Sequence, residues 1–107
     1  MKSAAMGIAP PVGLSSETFK KLDSILRPHP AVEQVILFGS RAMNLHQHSS
    51  DIDLAVKGTQ LNFSSLLQLK SAIDDLMLSY KVDLVLYETI QNKDLREHID
   101  RVGIALW

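Results

Sequence analysis

The chain predicts a single α/β domain. Three observations carry this: helix-like and strand-like hydrophobic patterns alternate along it, 107 residues leave room for one core, and an apolar content of 46% is that of an ordinary globular protein. A domain of this size buries roughly two-thirds of its unfolded surface, so it can fold without disulfides or a structural metal. There is no cysteine, which excludes thiolate zinc sites, iron–sulfur clusters and cysteine nucleophiles. Eleven basic against 12 acidic residues leave a net charge of −1, without the basic excess of a dedicated nucleic-acid binder. No apolar run approaches the roughly 18 residues that span a bilayer. The start, Met1 to Gly7, lacks the apolar centre of a secretory signal, so a cytoplasmic location is expected.

Residues 1–13 read as a flexible arm punctuated by Gly7, Pro10, Pro11 and Gly13, and residues 14–107 as the domain. Ser15 is a suitable N-cap for a helix carrying Phe19, Leu22, Ile25 and Leu26 on one face, with Leu14 and Phe19 placed as a hydrophobic staple. The run Arg27-Pro28-His29-Pro30 ends it, because a residue before proline is pushed out of the helical region. Val32 to Phe38 is β-branched and apolar, a strand buried on both faces. After Gly39-Ser40, Arg41 to Leu45 fits one helical turn, and residues 46–50 form a polar loop. Asp51 to Val56 alternates as a second strand, with Asp51, Asp53 and Ala55 on one face. Leu66, Leu69, Ile73, Leu76, Met77 and Tyr80 trace one face of a helix over about Ser64 to Ser79. Val82 to Tyr87 is a third strand. A last helix over about Asn92 to Val102 turns Leu95, Ile99 and Val102 inward and stops near Gly103, and residues 104–107 can add an edge strand.

Three carboxylates break the pattern. Asp51, Asp53 and Asp83 each sit in an apolar strand-like run, where an ionised group is costly unless something compensates it. Strand positions two apart point the same way and lie roughly 6–7 Å apart. Asp51 and Asp53 can therefore converge on a pair of divalent cations, with Asp83 from a neighbouring strand completing the cluster. Hard oxygen ligands suit Mg²⁺, and its charge would relieve the repulsion. The lesser alternative for Asp51 and Asp53 alone is the polar face of a half-exposed strand. Gly39-Ser40 closes a strand and opens a turn, an arrangement that presents backbone N–H groups and a hydroxyl to a phosphate. Alone, the dipeptide reads more simply as an ordinary turn with Ser40 as a cap.

Gly39-Ser40, ten residues, then Asp51-x-Asp53 make up a GSx₁₀DxD pattern, which chance would place in roughly one chain per thousand of this length. Phe38-Gly39-Ser40-Arg41-Ala42 and Ser50-Asp51-Ile52-Asp53-Leu54 resemble the minimal nucleotidyltransferases (MNT) of the DNA polymerase β-like superfamily, over about Ser15 to Trp107. The resemblance implies a small mixed sheet of about four strands with helices packed against it. It matches Gly39 and Ser40 to the residues that hold the β- and γ-phosphates of a nucleoside triphosphate. It matches Asp51, Asp53 and Asp83 to the catalytic, metal-bridging carboxylates of a two-metal Mg²⁺ site, in which Mn²⁺ can substitute. The chemistry implied is in-line attack on the α-phosphorus, ATP being the substrate and pyrophosphate leaving. Many relatives have glycine where this chain has Asn44, and asparagine is the residue that best tolerates the same left-handed bend.

The family also implies a partner. Its members are commonly paired with a HEPN-domain ribonuclease toxin, for which the MNT protein is the antitoxin, and some transfer AMP to a toxin tyrosine. The leading expectation is thus an adenylyltransferase that modifies a HEPN-domain protein. The alternatives are an antitoxin that neutralises its partner by occlusion, and an enzyme that modifies a small molecule such as an aminoglycoside. Arg41 is a candidate triphosphate contact beside Ser40, and Lys57 a weaker one. His46-x-His48, without other soft ligands, reads as polar loop rather than zinc site. Tyr80 and Tyr87 read as packing residues, and Trp107 as the end of a tail paired along the sheet edge.

Overall fold

The computed structural model describes residues 13–45 and 51–107. His46 and His48, and residues 1–12 of the expected arm, lie outside them. Among the described residues there are three α-helices, α1 (Ser16–Leu26), α2 (Phe63–Asp74) and α3 (Lys93–Val102), and four strands, β1 (Gln34–Phe38), β2 (Ile52–Lys57), β3 (Val82–Leu86) and β4 (Ile104–Ala105), in the order α1-β1-β2-α2-β3-α3-β4. The strand order is β3-β2-β1-β4. β1 runs antiparallel to β2 and β4, whereas β2 and β3 are parallel, joined by α2. The sheet is therefore mixed, as the family resemblance implies.

Each helix begins on a side chain that accepts the N–H three residues on: Ser15 from Thr18 at 3.1 Å, Asn62 from Ser65 at 2.8 Å and Asn92 from Leu95 at 3.1 Å. Such a cap is worth about 1 kcal/mol, and it sets the first turn of each helix at a defined residue. Leu14 and Phe19, the expected staple, are both buried in the main core.

Two cores flank the sheet, as strand alternation requires. Val35 and Leu37 of β1, Ile52, Leu54 and Val56 of β2, and Leu84 and Leu86 of β3 meet Leu22 and Leu26 of α1 and Leu66, Leu69 and Ile73 of α2. On the other face, Ile36, Phe38 and Ala55 meet Ile99 of α3, with Val85 and Leu95 beside them. Burying β1 and β2 on both faces explains why their sequences are near-continuously apolar. Gly103 leaves α3 with extended geometry, φ −62 and ψ 144, and turns the chain straight into β4. A side chain there would collide with the Ile99 carbonyl and with Ile36. Leu106 N–H then donates to the Val35 carbonyl at 2.8 Å, so the tail is paired along β1. Trp107 packs against the main core, with the Arg27 guanidinium 4.3 Å from its ring centre.

Several boundaries differ from expectation. Strand β1 starts at Gln34 rather than Val32, because Val32 N–H closes a turn on the His29 carbonyl. Helix α2 ends at Asp74, not near Ser79. The helical spacing of Met77 and Tyr80 continues beyond it, but Met77 adopts a left-handed φ of 56 and is 84% exposed. The chain has to bend there to start β3 level with β2, where Ile52 N–H meets the Lys81 carbonyl. Tyr87 leaves β3 for a short 3-10 turn, Tyr87–Thr89. Gly13, expected in the arm, is buried, and its carbonyl accepts a bond from Arg41 at 2.8 Å. Among the described residues no helix is long and apolar enough to cross a membrane.

Candidate active site

The end of β1 and the starts of β2 and β3 lie at one end of the sheet. Phe38 is the register partner of Asp53, and Asp53 that of Asp83. Register partners share a face, so Phe38, Asp53 and Asp83 form a row across three strands on the α3 side. Neighbouring strands lie about 4.8 Å apart, which brings the two carboxylates side by side. Asp51 precedes β2, is exposed, and by alternation belongs to the same face as Asp53.

This crowding is visible in the acidity of Asp53, which is half-buried. Burial, then the charges of Asp83 and Asp51, raise its carboxyl above the usual aspartate value of 3.8, while His98 and Lys81 pull it partly back. Lys81 Nζ is 3.7 Å from Asp83 Oδ1, but the lysine side chain is 71% exposed, so the pair is weak and easily displaced. Among the described residues no three acidic or imidazole side chains are gathered closely enough to hold an ion as they stand. The donor set is nevertheless the hard-oxygen set that Mg²⁺ takes, on a site whose own charges repel.

Gly39 follows Phe38 directly and has a left-handed φ of 77. A side chain there would run into Asp53 Oδ2. Sequence reasoning reserves this glycine for the approach of a phosphate; in the structure the Asp53 carboxylate already requires it. The segment after it is a compact turn rather than a regular helix: Met43 N–H donates to the Gly39 carbonyl, Leu45 N–H to that of Ser40, and Asn44 N–H to that of Arg41. Asn44 closes the turn at φ 58, the bend expected of asparagine at this position. Ser40 is half-buried at the start of the turn.

The two cationic candidates have contacts of their own. Arg41 is 6% exposed, donates to the Gly13 carbonyl, and lies with its guanidinium 4.6 Å from the ring centre of Tyr80. Its side chain ties the start of the domain to the turn. Lys57 ends β2 opposite Gln34, at the far end of the sheet from Gly39, with Nζ 4.3 Å from the Tyr87 ring centre. Tyr87 itself donates to Asp100 at 2.6 Å. One residue near the site escaped sequence reasoning altogether. His98 of α3 accepts the Gly39 N–H on Nε2 at 3.2 Å and meets the Phe38 ring edge-on. A lone histidine on an amphipathic helix carries no local signal; only the docking of α3 beside β1 brings it there.

The model of the polymerase β nucleotidyltransferase family matches residues 20–107. The chain belongs to that family. A relative from Methanocaldococcus jannaschii, "Putative protein adenylyltransferase MJ1379", is 31% identical over 86 residues, 78% of this chain and 86% of its own. Among solved structures, a toxin–antitoxin crystallised with AMP-PNP superposes with a TM-score of 0.69 at 26% identity, over 83% of this chain and 72% of the other. A complex of tri-AMPylated Shewanella oneidensis HEPN toxin with its MNT antitoxin shares the fold, at a TM-score of 0.66 and 24% identity, over 88% and 72% of the two chains. The family match thus runs from within α1 to the end of the paired tail.

Proposed function

We propose that this nucleotidyltransferase transfers AMP from ATP to a hydroxyl on a HEPN-domain partner protein, in the cytoplasm, as the antitoxin of a toxin–antitoxin pair. One observation carries the reading: Asp53 and Asp83 are register partners on one sheet face, and the Gly39-Ser40 turn leaves β1 against Asp53. The M. jannaschii relative named for protein adenylylation and the toxin–antitoxin holding an ATP analogue support AMP and a protein acceptor.

In this reading Asp51, Asp53 and Asp83 would hold Mg²⁺, or Mn²⁺ in its place. When bound, the metal supplies positive charge to the reacting phosphoryl group and lowers the pKa of the attacking hydroxyl. Ser40 donates its hydroxyl to the β- and γ-phosphate oxygens, and Gly39, lacking a side chain, lets the triphosphate lie against the backbone. The acceptor hydroxyl gives up its proton to solvent, its oxygen bonds to the α-phosphorus as the bond to the α–β bridging oxygen breaks, and pyrophosphate departs. By holding the metal at this end of the sheet, Asp53 and Asp83 would set where the α-phosphate lies. There the half-exposed face of β3 is open to an acceptor side chain from a second protein.

The test is label transfer. The protein is incubated with α-labelled ATP, Mg²⁺ and the product of the neighbouring gene, in parallel with the Asp51→Asn/Asp53→Asn variant. Label on the partner with the native protein only is the expected result. Neutralisation of the partner by both proteins with no label in either would overturn the reading in favour of occlusion.

A further inference from the structure

His98 of α3 reaches the Gly39-Ser40 turn, and the nature of its contact gives it a role. Its Nε2 accepts the Gly39 N–H at 3.2 Å, so the neutral ring carries its proton on Nδ1. The Gly39 carbonyl is held from the other side by Met43 N–H at 3.2 Å. Both polar groups of the glycine are thereby tied, one into its own turn and one across to α3. This matters because glycine has no conformational preference of its own between positive and negative φ. At φ 77 the residue leaves room for the Asp53 carboxylate, and a flip of the Phe38-Gly39 peptide would turn its carbonyl oxygen, instead of its N–H, toward α3. The imidazole is itself fixed. It is half-buried, its neighbour Ile99 is 1% exposed in the second core, and its ring stands edge-on to Phe38 at 6.2 Å.

We propose that His98 is a positioning residue for the phosphate seat: its Nε2 lone pair locks Gly39 in the conformation that lets Asp53 and a nucleoside triphosphate share the Gly39-Ser40 turn. The ligand in this statement rests on the nucleotidyltransferase reading; the anchoring of Gly39 does not. It follows that the Gly39 N–H faces α3, and that the phosphate donors of the turn are Ser40 and the residues after it.

Two variants separate positioning from packing. His98→Phe keeps an aromatic ring beside Phe38 but has no acceptor, whereas His98→Gln restores an acceptor at similar reach. Binding of a fluorescent ATP analogue with Mg²⁺ is measured without any acceptor protein, and hydrogen exchange of the Gly39 amide is followed by NMR. One lost hydrogen bond predicts binding weaker by about tenfold in His98→Phe, with the Gly39 amide deprotected. His98→Gln is expected to stay within about twofold of wild type and to retain protection, since its acceptor replaces the lost one. Binding as tight in His98→Phe as in wild type, or as weak in His98→Gln as in His98→Phe, would overturn the proposal. If wild-type protein bound no nucleotide while the Gly39 amide responded as described, the functional reading would fail and the anchoring of Gly39 would stand.

Discussion

Replacing Asp53 with asparagine should make the metal-free protein more stable while destroying its chemistry. Asp53 and Asp83 are register partners on adjacent parallel strands, so their charges lie about 5 Å apart. At that separation two unit charges repel by about 3 kcal/mol at an effective dielectric of 20, and by less than 1 kcal/mol in bulk water. Both side chains are half-exposed, and Lys81 offsets part of the repulsion, so the lower end applies. A gain of about 1 kcal/mol corresponds to a rise in Tm of about 4–8 °C for a domain of this size. Asparagine is isosteric, so the approach to Gly39 is preserved. The assay is thermal unfolding at pH 7 in chelator and again in millimolar Mg²⁺. Wild-type protein should gain stability on adding Mg²⁺, by linkage to binding, and Asp53→Asn should gain little. A lower Tm for the variant in chelator, or an equal response of both proteins to Mg²⁺, would refute the reasoning.

The same crowding sets a pH dependence. The folded-state pKa of Asp53 is raised, so between 3.8 and that raised value the folded state binds more protons than the unfolded chain. This group's contribution to stability must then fall as pH rises through that window. Urea unfolding of wild type and Asp53→Asn without metal should show the difference between them growing with pH there, and a difference independent of pH would contradict the assignment. Gly39→Ala combines a left-handed strain of about 1–2 kcal/mol with a collision against Asp53 Oδ2, so it should lower Tm and abolish ATP binding together. Retained binding would show that the turn tolerates a side chain. Arg41→Met removes a buried guanidinium bond and should cost about 2 kcal/mol in urea unfolding, with the ATP affinity of the folded protein within about threefold of wild type. A large loss of affinity at unchanged stability would return Arg41 to the phosphate site.

Much of this architecture is legible in the chain because its determinants are local. Ser15, Asn62 and Asn92 mark helix starts, and the two-sided burial of β1 shows in its unbroken apolar run. The GSx₁₀DxD pattern is legible because the turn and the aspartates sit at fixed places on strands that pair with one another. What escaped is non-local. The spacing of Met77 and Tyr80 continues a helix that the return to β3 interrupts. Arg41 stands beside Ser40 in sequence, yet its side chain packs against Gly13 and Tyr80, contacts set by the tertiary fold. His98 lies 59 residues from Gly39 and gives no sign of its role until α3 docks on β1.

The account depends most on the acidic row being made for a divalent cation beside a triphosphate. Mn²⁺ binding in the presence of a non-hydrolysable ATP analogue, followed by electron paramagnetic resonance, tests this directly in wild type, Asp53→Asn and Asp83→Asn. Saturable binding by wild type, weakened by at least about tenfold in each variant as expected for loss of a charged ligand, is the predicted result. Equal Mn²⁺ affinity in all three proteins would contradict it.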